Sequence, residues 1–363
     1  MQFKPVKYLS FASLIVFCCF WFAASNTKTN GPKLNTLKAD NFRLAADYSR
    51  SNRGLSMLVI QNGKVVFEEY HNGHSALKTQ LLASGTKSFS GVMFAAAIED
   101  GLIKNFDEKV SDTITEWKTD RRKSQITIRE LLTLTSGIES GPNGRPPSYT
   151  EAITFESRYE PGTTFEYGPV PFQVFGELMK RKLAARSESV LDYLNRRIFE
   201  PIGLSAGNWT MQEGQPNLPS GAYLTTREWA KFGELLINEG RFNGRQVIKA
   251  TLIRELTKGT KANPNYGLTF WLNKSSDGSA NIAESGNRRG QLLRRILNYT
   301  PETEQISLKG FGPELSNDIF AAAGAGKQRL YVVPSKQLVI VRQGRQSKFD
   351  DGEFLRLLLL GRK

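Results

Sequence analysis

The stretch Leu81-Leu-Ala-Ser84-Gly-Thr-Lys87-Ser-Phe-Ser-Gly-Val-Met-Phe-Ala-Ala-Ala-Ile98 decides how this chain is read. A serine followed three residues later by a lysine at the start of a helix puts both side chains on one face, close enough for the amine to take the hydroxyl proton. The helix that follows is rich in alanine and almost without charge, as a helix buried between layers must be. A lysine carried into such a helix is out of place as surface decoration. The same spacing occurs in Ser25-Asn-Thr-Lys28 and in Ser75-Ala-Leu-Lys78, but the first lies near a candidate cleavage region and the second in a loop after a hairpin. Ser84 and Lys87 are therefore the candidate nucleophile and base.

Working toward the N-terminus, Ser56-Met-Leu-Val-Ile60 and Lys64-Val-Val-Phe-Glu-Glu-Tyr70 flank Gln61-Asn62-Gly63. Asn-Gly between β-rich runs predicts a hairpin. The spacing of Leu37, Phe42, Leu44, Ala45 and Tyr48 predicts a helix over 36–48. Toward the C-terminus, three-to-four spacing predicts helices at 127–134, 171–179, 190–199 and 227–237, separated by loops rich in Gly and Pro. The chain then returns to strands at 328–333 and 337–342, joined by Pro334-Ser-Lys, and closes with an amphipathic helix at 353–360. The expected fold is α/β in the α+β sense: an antiparallel sheet drawn from both termini, flanked by helices, with a mostly helical domain inserted. The boundaries expected are 36–106 with 263–363 for the sheet domain and 107–262 for the helical one.

The chain has 363 residues, 39% of them hydrophobic, which is ample for a core and excludes wholesale disorder. Only two Cys and two His occur, so a zinc site, an iron–sulfur cluster or a disulfide framework has almost no ligands to draw on. Residues 1–25 begin with Lys4 and Lys7, run without charge from Leu9 to Ala24 and end in small residues, the pattern of a signal peptide or N-terminal anchor. Residues 26–35 read as a linker. An exported protein is expected, periplasmic or extracellular. Cys18 and Cys19 both lie in the targeting segment, so cleavage after Ser25 leaves a mature chain stabilised by packing alone. The formal net charge is +14, scattered over Arg121-Arg-Lys123, Lys180-Arg-Lys182, Arg196-Arg197 and the Arg288 to Arg295 segment. That is no nucleic-acid stripe; an anionic cell-envelope surface is the partner such charge suits.

The order of hairpin, Ser84-Gly-Thr-Lys87, Ile126-Thr-Ile-Arg-Glu-Leu-Leu-Thr-Leu-Thr-Ser-Gly-Ile138 and Pro161-Gly-Thr-Thr-Phe-Glu-Tyr167 resembles the serine β-lactamase and penicillin-binding superfamily. The branch most similar is that of the class C β-lactamases, D-alanyl-D-alanine carboxypeptidases and related esterases. Ile198-Phe-Glu-Pro-Ile-Gly-Leu204, Ser220 to Gly233 and Gly324-Ala-Gly-Lys-Gln-Arg-Leu-Tyr-Val-Val-Pro334 continue the match in the same order. The resemblance implies that Ser84 is acylated, that Lys87 is its base, and that Tyr167 matches the Tyr of a Tyr-x-Asn element and shuttles the proton to the leaving group. A cation beside the phenol is expected to favour phenolate. The backbone N–H groups of Ser84 and Ala325 are the implied oxyanion hole. Gly324, Lys327 and Trp271 are candidate substrate contacts, and no cofactor is expected. Taken alone, Tyr167 is a half-buried aromatic after a Pro-Gly turn; the co-linear order sets it apart.

Two departures narrow the substrate. The family's Asn is Pro169 here, and its Lys-Thr-Gly or His-x-Gly element is Ala322-Ala323-Gly324. Without that cation or hydroxyl the site loses its main grip on a substrate carboxylate, unless the Lys327 side chain turns inward, so neutral esters or amides are favoured over β-lactams and D-Ala-D-Ala peptides. Other chemistries fit less well. Gly203-Leu-Ser205-Ala-Gly207 has neither the strand before nor the helix after that a nucleophile elbow requires. His71 and His74 read as polar loop residues, and Ala321 to Lys327 lacks the first Gly and the hydroxyl of a phosphate loop. Residues 274–317, with a possible helix at 291–297, read as a solvated loop or as a flap over the site.

Overall fold

The computed structural model describes residues 37–141, 145–274, 281–283, 306 and 309–362, together with Gln2. The expected targeting segment and linker, most of the 274–317 segment and the possible helix at 291–297 lie outside the described residues. Among the described residues no helix is long and apolar enough to cross a membrane.

Helix α1 (Ala39–Ser51) leads into strands β1 (Gly54–Gln61) and β2 (Lys64–Tyr70). Their turn places Asn62 at φ 52° and Gly63 at φ 71°, both left-handed, as the tightest hairpin connection demands. The chain returns to this sheet through β6 (Trp271–Leu272), β7 (Phe320–Gly324), β8 (Gln328–Val333) and β9 (Leu338–Gly344). Between them lie the short strands β3 (Gln80–Leu81), β4 (Asn208–Trp209) and β5 (Ala222–Leu224) of a second sheet. The main sheet runs β6-β7-β8-β9-β1-β2 and is antiparallel throughout. The expected α+β architecture is the one observed, with the sheet assembled from both ends of the fold.

Strands β1, β8 and β9 are buried along their whole length, which is why they read as nearly continuous apolar runs. Helix α1 and the last helix, α7 (Asp351–Leu360), cover one face: Arg342 Nε donates to Ser49 Oγ at 3.0 Å, and Arg329 pairs with Asp351. Helix α6 (Thr226–Ile237) covers the other, Gly233 lying against Val339 and Leu330. β2 forms the far edge and carries Lys64, Glu68 and Glu69, charges that discourage edge pairing.

Helix α2 (Lys87–Glu99) is buried from Lys87 to Ala97. Phe89 packs edge-on against Phe232 of α6 at 4.6 Å and against Phe199 at 5.1 Å, and Phe94 against Phe106 at 5.0 Å. Around it stand α3 (Ile128–Leu132), α4 (Val170–Leu183) and α5 (Val190–Leu194). A capping box starts α3: Thr127 accepts from Glu130 N–H while the Glu130 carboxylate accepts from Thr127 N–H. The helix expected over 190–199 changes to a π turn from Asn195 to Phe199. Most basic clusters meet carboxylates. Arg122 pairs with Glu160, Arg181 with Glu116 and Glu177, Lys182 with Glu108, and Arg197 with Glu99 and Asp100.

Candidate active site

Ser84 sits in a single 3-10 turn, Ala83–Thr86, that runs directly into α2. The turn is clamped to β5 from both sides: Leu82 N–H donates to the Ala222 carbonyl at 2.9 Å, and Ala222 N–H donates to Thr86 Oγ1 at 3.2 Å. Ala83 is held at φ 48°, a left-handed conformation that a side-chain-bearing residue adopts at a cost and that tends to gather at functional sites. Ser84 itself is half-buried, in a turn whose backbone is fixed on both sides.

One helical turn on, Lys87 is 3% exposed. Its Nζ lies 3.0 Å from Ser84 Oγ and donates to the Pro219 carbonyl, also at 3.0 Å. The rings of Tyr167 and Phe172 take up its other sides at 5.1 and 5.3 Å. Among the described residues no carboxylate pairs with it. Burial therefore acts unopposed and lowers the amine to about 7. The loop that supplies Pro219 is fixed by Asn217, whose Oδ1 accepts from the backbone N–H and hydroxyl of Ser220, each at 3.1 Å. By contrast, Lys78 Nζ turns to the Gly73 carbonyl at 2.7 Å, so the second Ser-x-x-Lys spacing builds no such pair.

Tyr167 closes the group. It is 6% exposed, and burial pushes its phenol up to about 12, with a hydrogen bond from Ser84 and the field of Arg329 pulling it part of the way back. The expectation of phenolate is corrected here. Desolvation drives both partners toward their neutral forms, so the pair at neutral pH is an amine that can accept a proton and a phenol that can give one. Behind Tyr167 stands Trp271, with ring centroids 5.3 Å apart, and Tyr266, edge-on at 6.2 Å. Trp271 is 2% exposed and packs as the wall that holds the phenol in place.

Gly324 ends β7 beside the nucleophile turn. A Cβ built there would lie 1.9 Å from the Leu82 carbonyl oxygen and 2.8 Å from the Gly85 nitrogen, so only glycine allows this approach. It brings the exposed Ala325 to the rim of the same turn. Lys327 lies in the β7–β8 turn at φ 61° and 9% exposure, its charge adding to the stabilisation of the Asp351 carboxylate. Ala322 is 2% exposed in the strand, and Pro169 is the residue that starts α4.

The competing motifs find no support. Ser205 follows a 3-10 turn and precedes only a two-residue strand, and Ala321 to Gly324 lie in a strand. Among the described residues no three His, Cys, Asp or Glu side chains cluster as metal ligands would. Sequence reasoning missed Pro219 and Phe172, whose contacts with Lys87 depend on chain segments that meet only in the folded protein.

A comparison with protein families matches the Beta-lactamase family over residues 39–357. An uncharacterized protein of Alkalihalophilus pseudofirmus is 25% identical over 283 residues, covering 69% of this chain and 79% of its own. Among solved structures, a proposed 6-aminohexanoate-dimer hydrolase from Bacillus anthracis superposes with a TM-score of 0.66 at 17% identity, over 87% of this chain and 80% of that one. A penicillin-binding protein homologue from Caulobacter crescentus gives 0.64 at 14% identity, over 89% and 97%. A family VIII carboxylesterase gives 0.61 at 17% identity, again over 89% and 97%. The fold is that of the β-lactamases and transpeptidases, and the chain belongs to the β-lactamase family of serine hydrolases.

Proposed function

We propose that this protein is an exported hydrolase that cleaves an ester or amide bond of a neutral small molecule through an acyl-enzyme on Ser84. The observation that carries the reading is the Lys87 amine, buried, lowered to about 7 and 3.0 Å from Ser84 Oγ. In this scheme neutral Lys87 takes the hydroxyl proton as Oγ bonds to the substrate carbonyl carbon. The tetrahedral oxyanion rests on the N–H groups of Ser84 and Ala325. Tyr167 gives its proton to the departing oxygen or nitrogen and is reprotonated from Lys87. Water then enters by the same relay in reverse and releases the acid. No cofactor takes part.

The preference for neutral substrates rests on Ala322 and Pro169, which put neither a cation nor an amide where a substrate carboxylate would lie. Solved proteins of this fold are described as carboxylesterase and as 6-aminohexanoate-dimer hydrolase, which supports ester and amide chemistry equally. D-alanyl-D-alanine carboxypeptidase or β-lactamase turnover ranks second. The signal-like pattern of residues 1–25 supports export, and the net charge of +14 supports association with an anionic envelope. A fluorophosphonate should add one label to wild type and none to Ser84→Ala; equal labelling of both would sink the reading. A panel of neutral esters, D-amino-acid peptides and a chromogenic cephalosporin then ranks the substrates. Neither turnover nor acylation across that panel would point instead to a binding or sensory protein on this fold.

A further inference from the structure

The turn between β7 and β8 is held from beneath by its carbonyl groups. Arg329 Nη1 donates to the Gly324 carbonyl at 3.1 Å and to that of Gln328 at 2.8 Å. Gln328 Nε2 donates to the carbonyls of Ala325 and Gly326 at 3.4 and 3.3 Å, and Arg342 Nη1 to that of Lys327 at 2.7 Å. Four successive carbonyls, 324 to 327, are thus fixed by side chains that are at most 1% exposed. In a planar trans peptide the C=O and the next N–H point in opposite directions. Holding the Gly324 carbonyl therefore sets the direction of the Ala325 N–H, at a strand end that already touches the nucleophile turn.

Arg329 is itself held. Its Nε and Nη2 engage both oxygens of Asp351 at 2.6 and 3.0 Å, and Tyr331 donates to the same carboxylate. Asp351 opens α7, where a carboxylate is also favoured by the helix dipole. A buried ion pair of this kind contributes little net stability compared with apolar residues of similar volume, so the fold alone gives weak grounds for a guanidinium here. A cation on the carbonyl side of a peptide draws charge along it and makes the N–H on the far side a stronger donor.

We propose that Arg329, braced by Asp351, is a positioning residue that orients and polarises the Gly324–Ala325 peptide so that the Ala325 N–H serves as an oxyanion donor. The proposal rests on the reading of Ser84 as the nucleophile. It assigns a role to two residues on the opposite face of the sheet from the nucleophile turn.

The test uses the full chain, with wild type, Arg329→Lys and Asp351→Asn compared. Arg329→Lys keeps the charge but cannot span Asp351 and the Gly324 carbonyl together; Asp351→Asn keeps the guanidinium and frees it. A fluorophosphonate forms an Oγ–P bond on Ser84 as fluoride leaves, and the phosphoryl oxygen of the adduct occupies the oxyanion position. The expected result is a displaced 31P resonance of the adduct in both variants. With p-nitrophenyl butyrate we expect a fall in kcat of about 10- to 100-fold at nearly constant KM, below the loss from deleting a donor outright. A folded variant with the wild-type resonance and kcat, or one altered in KM alone, overturns the proposal. Should Arg329→Lys fail to fold, Asp351→Asn decides by the same two readings. Failure of wild type to be labelled on Ser84 overturns the nucleophile assignment instead, and with it the role given to Arg329.

Discussion

Replacing Lys87 by methionine should stabilise the protein while abolishing its chemistry, and the size of the gain should depend on pH in a defined direction. Burial lowers the Lys87 amine from 10.5, the ordinary value of an unfolded chain, to about 7 in the fold. At about 1.4 kcal/mol per pH unit, that difference is a cost of about 5 kcal/mol wherever the amine is charged in both states, below pH 7. As pH rises above 7 the folded amine loses its proton first and the cost fades, to about 2 kcal/mol at pH 9 and to nothing beyond 10.5. Methionine fills the space without the charge. It leaves the Pro219 carbonyl and the Ser84 hydroxyl without their shared donor, an offset of about 2 kcal/mol. Lys87→Met should therefore be more stable than wild type by about 3 kcal/mol at pH 6 and about equal to it at pH 9. Urea unfolding at the two pH values measures this, with ester turnover down at least about 1,000-fold in the same preparation. A variant no more stable than wild type at pH 6, or a gain that stays constant between the two pH values, would refute the account of a desolvated amine.

Three further outcomes follow from the same geometry. Because burial holds the Tyr167 phenol near 12, wild-type ester hydrolysis should rise through pH 7 and show no loss before about pH 10, while Tyr167→Phe lowers kcat about 100-fold; a fall in activity centred near pH 8 would contradict a neutral phenol. Gly324→Ala drives a Cβ into the Leu82 carbonyl and should cost about 2 kcal/mol of stability with most of the acylation rate, read by thermal unfolding and probe labelling. Thr127→Ala removes half of the capping box of α3 and should cost about 1 kcal/mol in urea while leaving turnover at the wild-type level.

The parts legible in the sequence were those encoded within a few neighbouring residues. Asn62-Gly63 announced the hairpin because few other pairs accept its backbone. Ser84 and Lys87 stood out because a charge had no reason to sit in so apolar a helix. The co-linear motifs placed Tyr167 beside them. What stayed hidden depended on burial and on distant segments. The phenolate expectation treated Lys87 as a charge acting on Tyr167, whereas desolvation, which cannot be read from spacing, lowers the amine and raises the phenol. The Pro219 carbonyl meets Lys87 across 132 positions, and a backbone acceptor leaves no mark in the sequence. Arg329 looked like one more residue of a strand because its partner, Asp351, belongs to a helix 22 positions on.

The central pairing of the sheet joins β1, near the start of the fold, to β9, near its end; the neighbouring contact of Ser49 with Arg342 spans 293 positions. During synthesis at about 5–20 residues per second, the β1–β2 hairpin must wait on the order of 15–60 seconds for the strand that completes it. Until then its apolar face has no lasting cover, and such long-range pairing is slow to form once both strands exist. A chain built this way remains unfinished until nearly all of it has been made. That delay exposes it to aggregation while it is being made, and under the export proposed above it would equally keep the chain loose enough to be threaded through a translocation pore before folding begins.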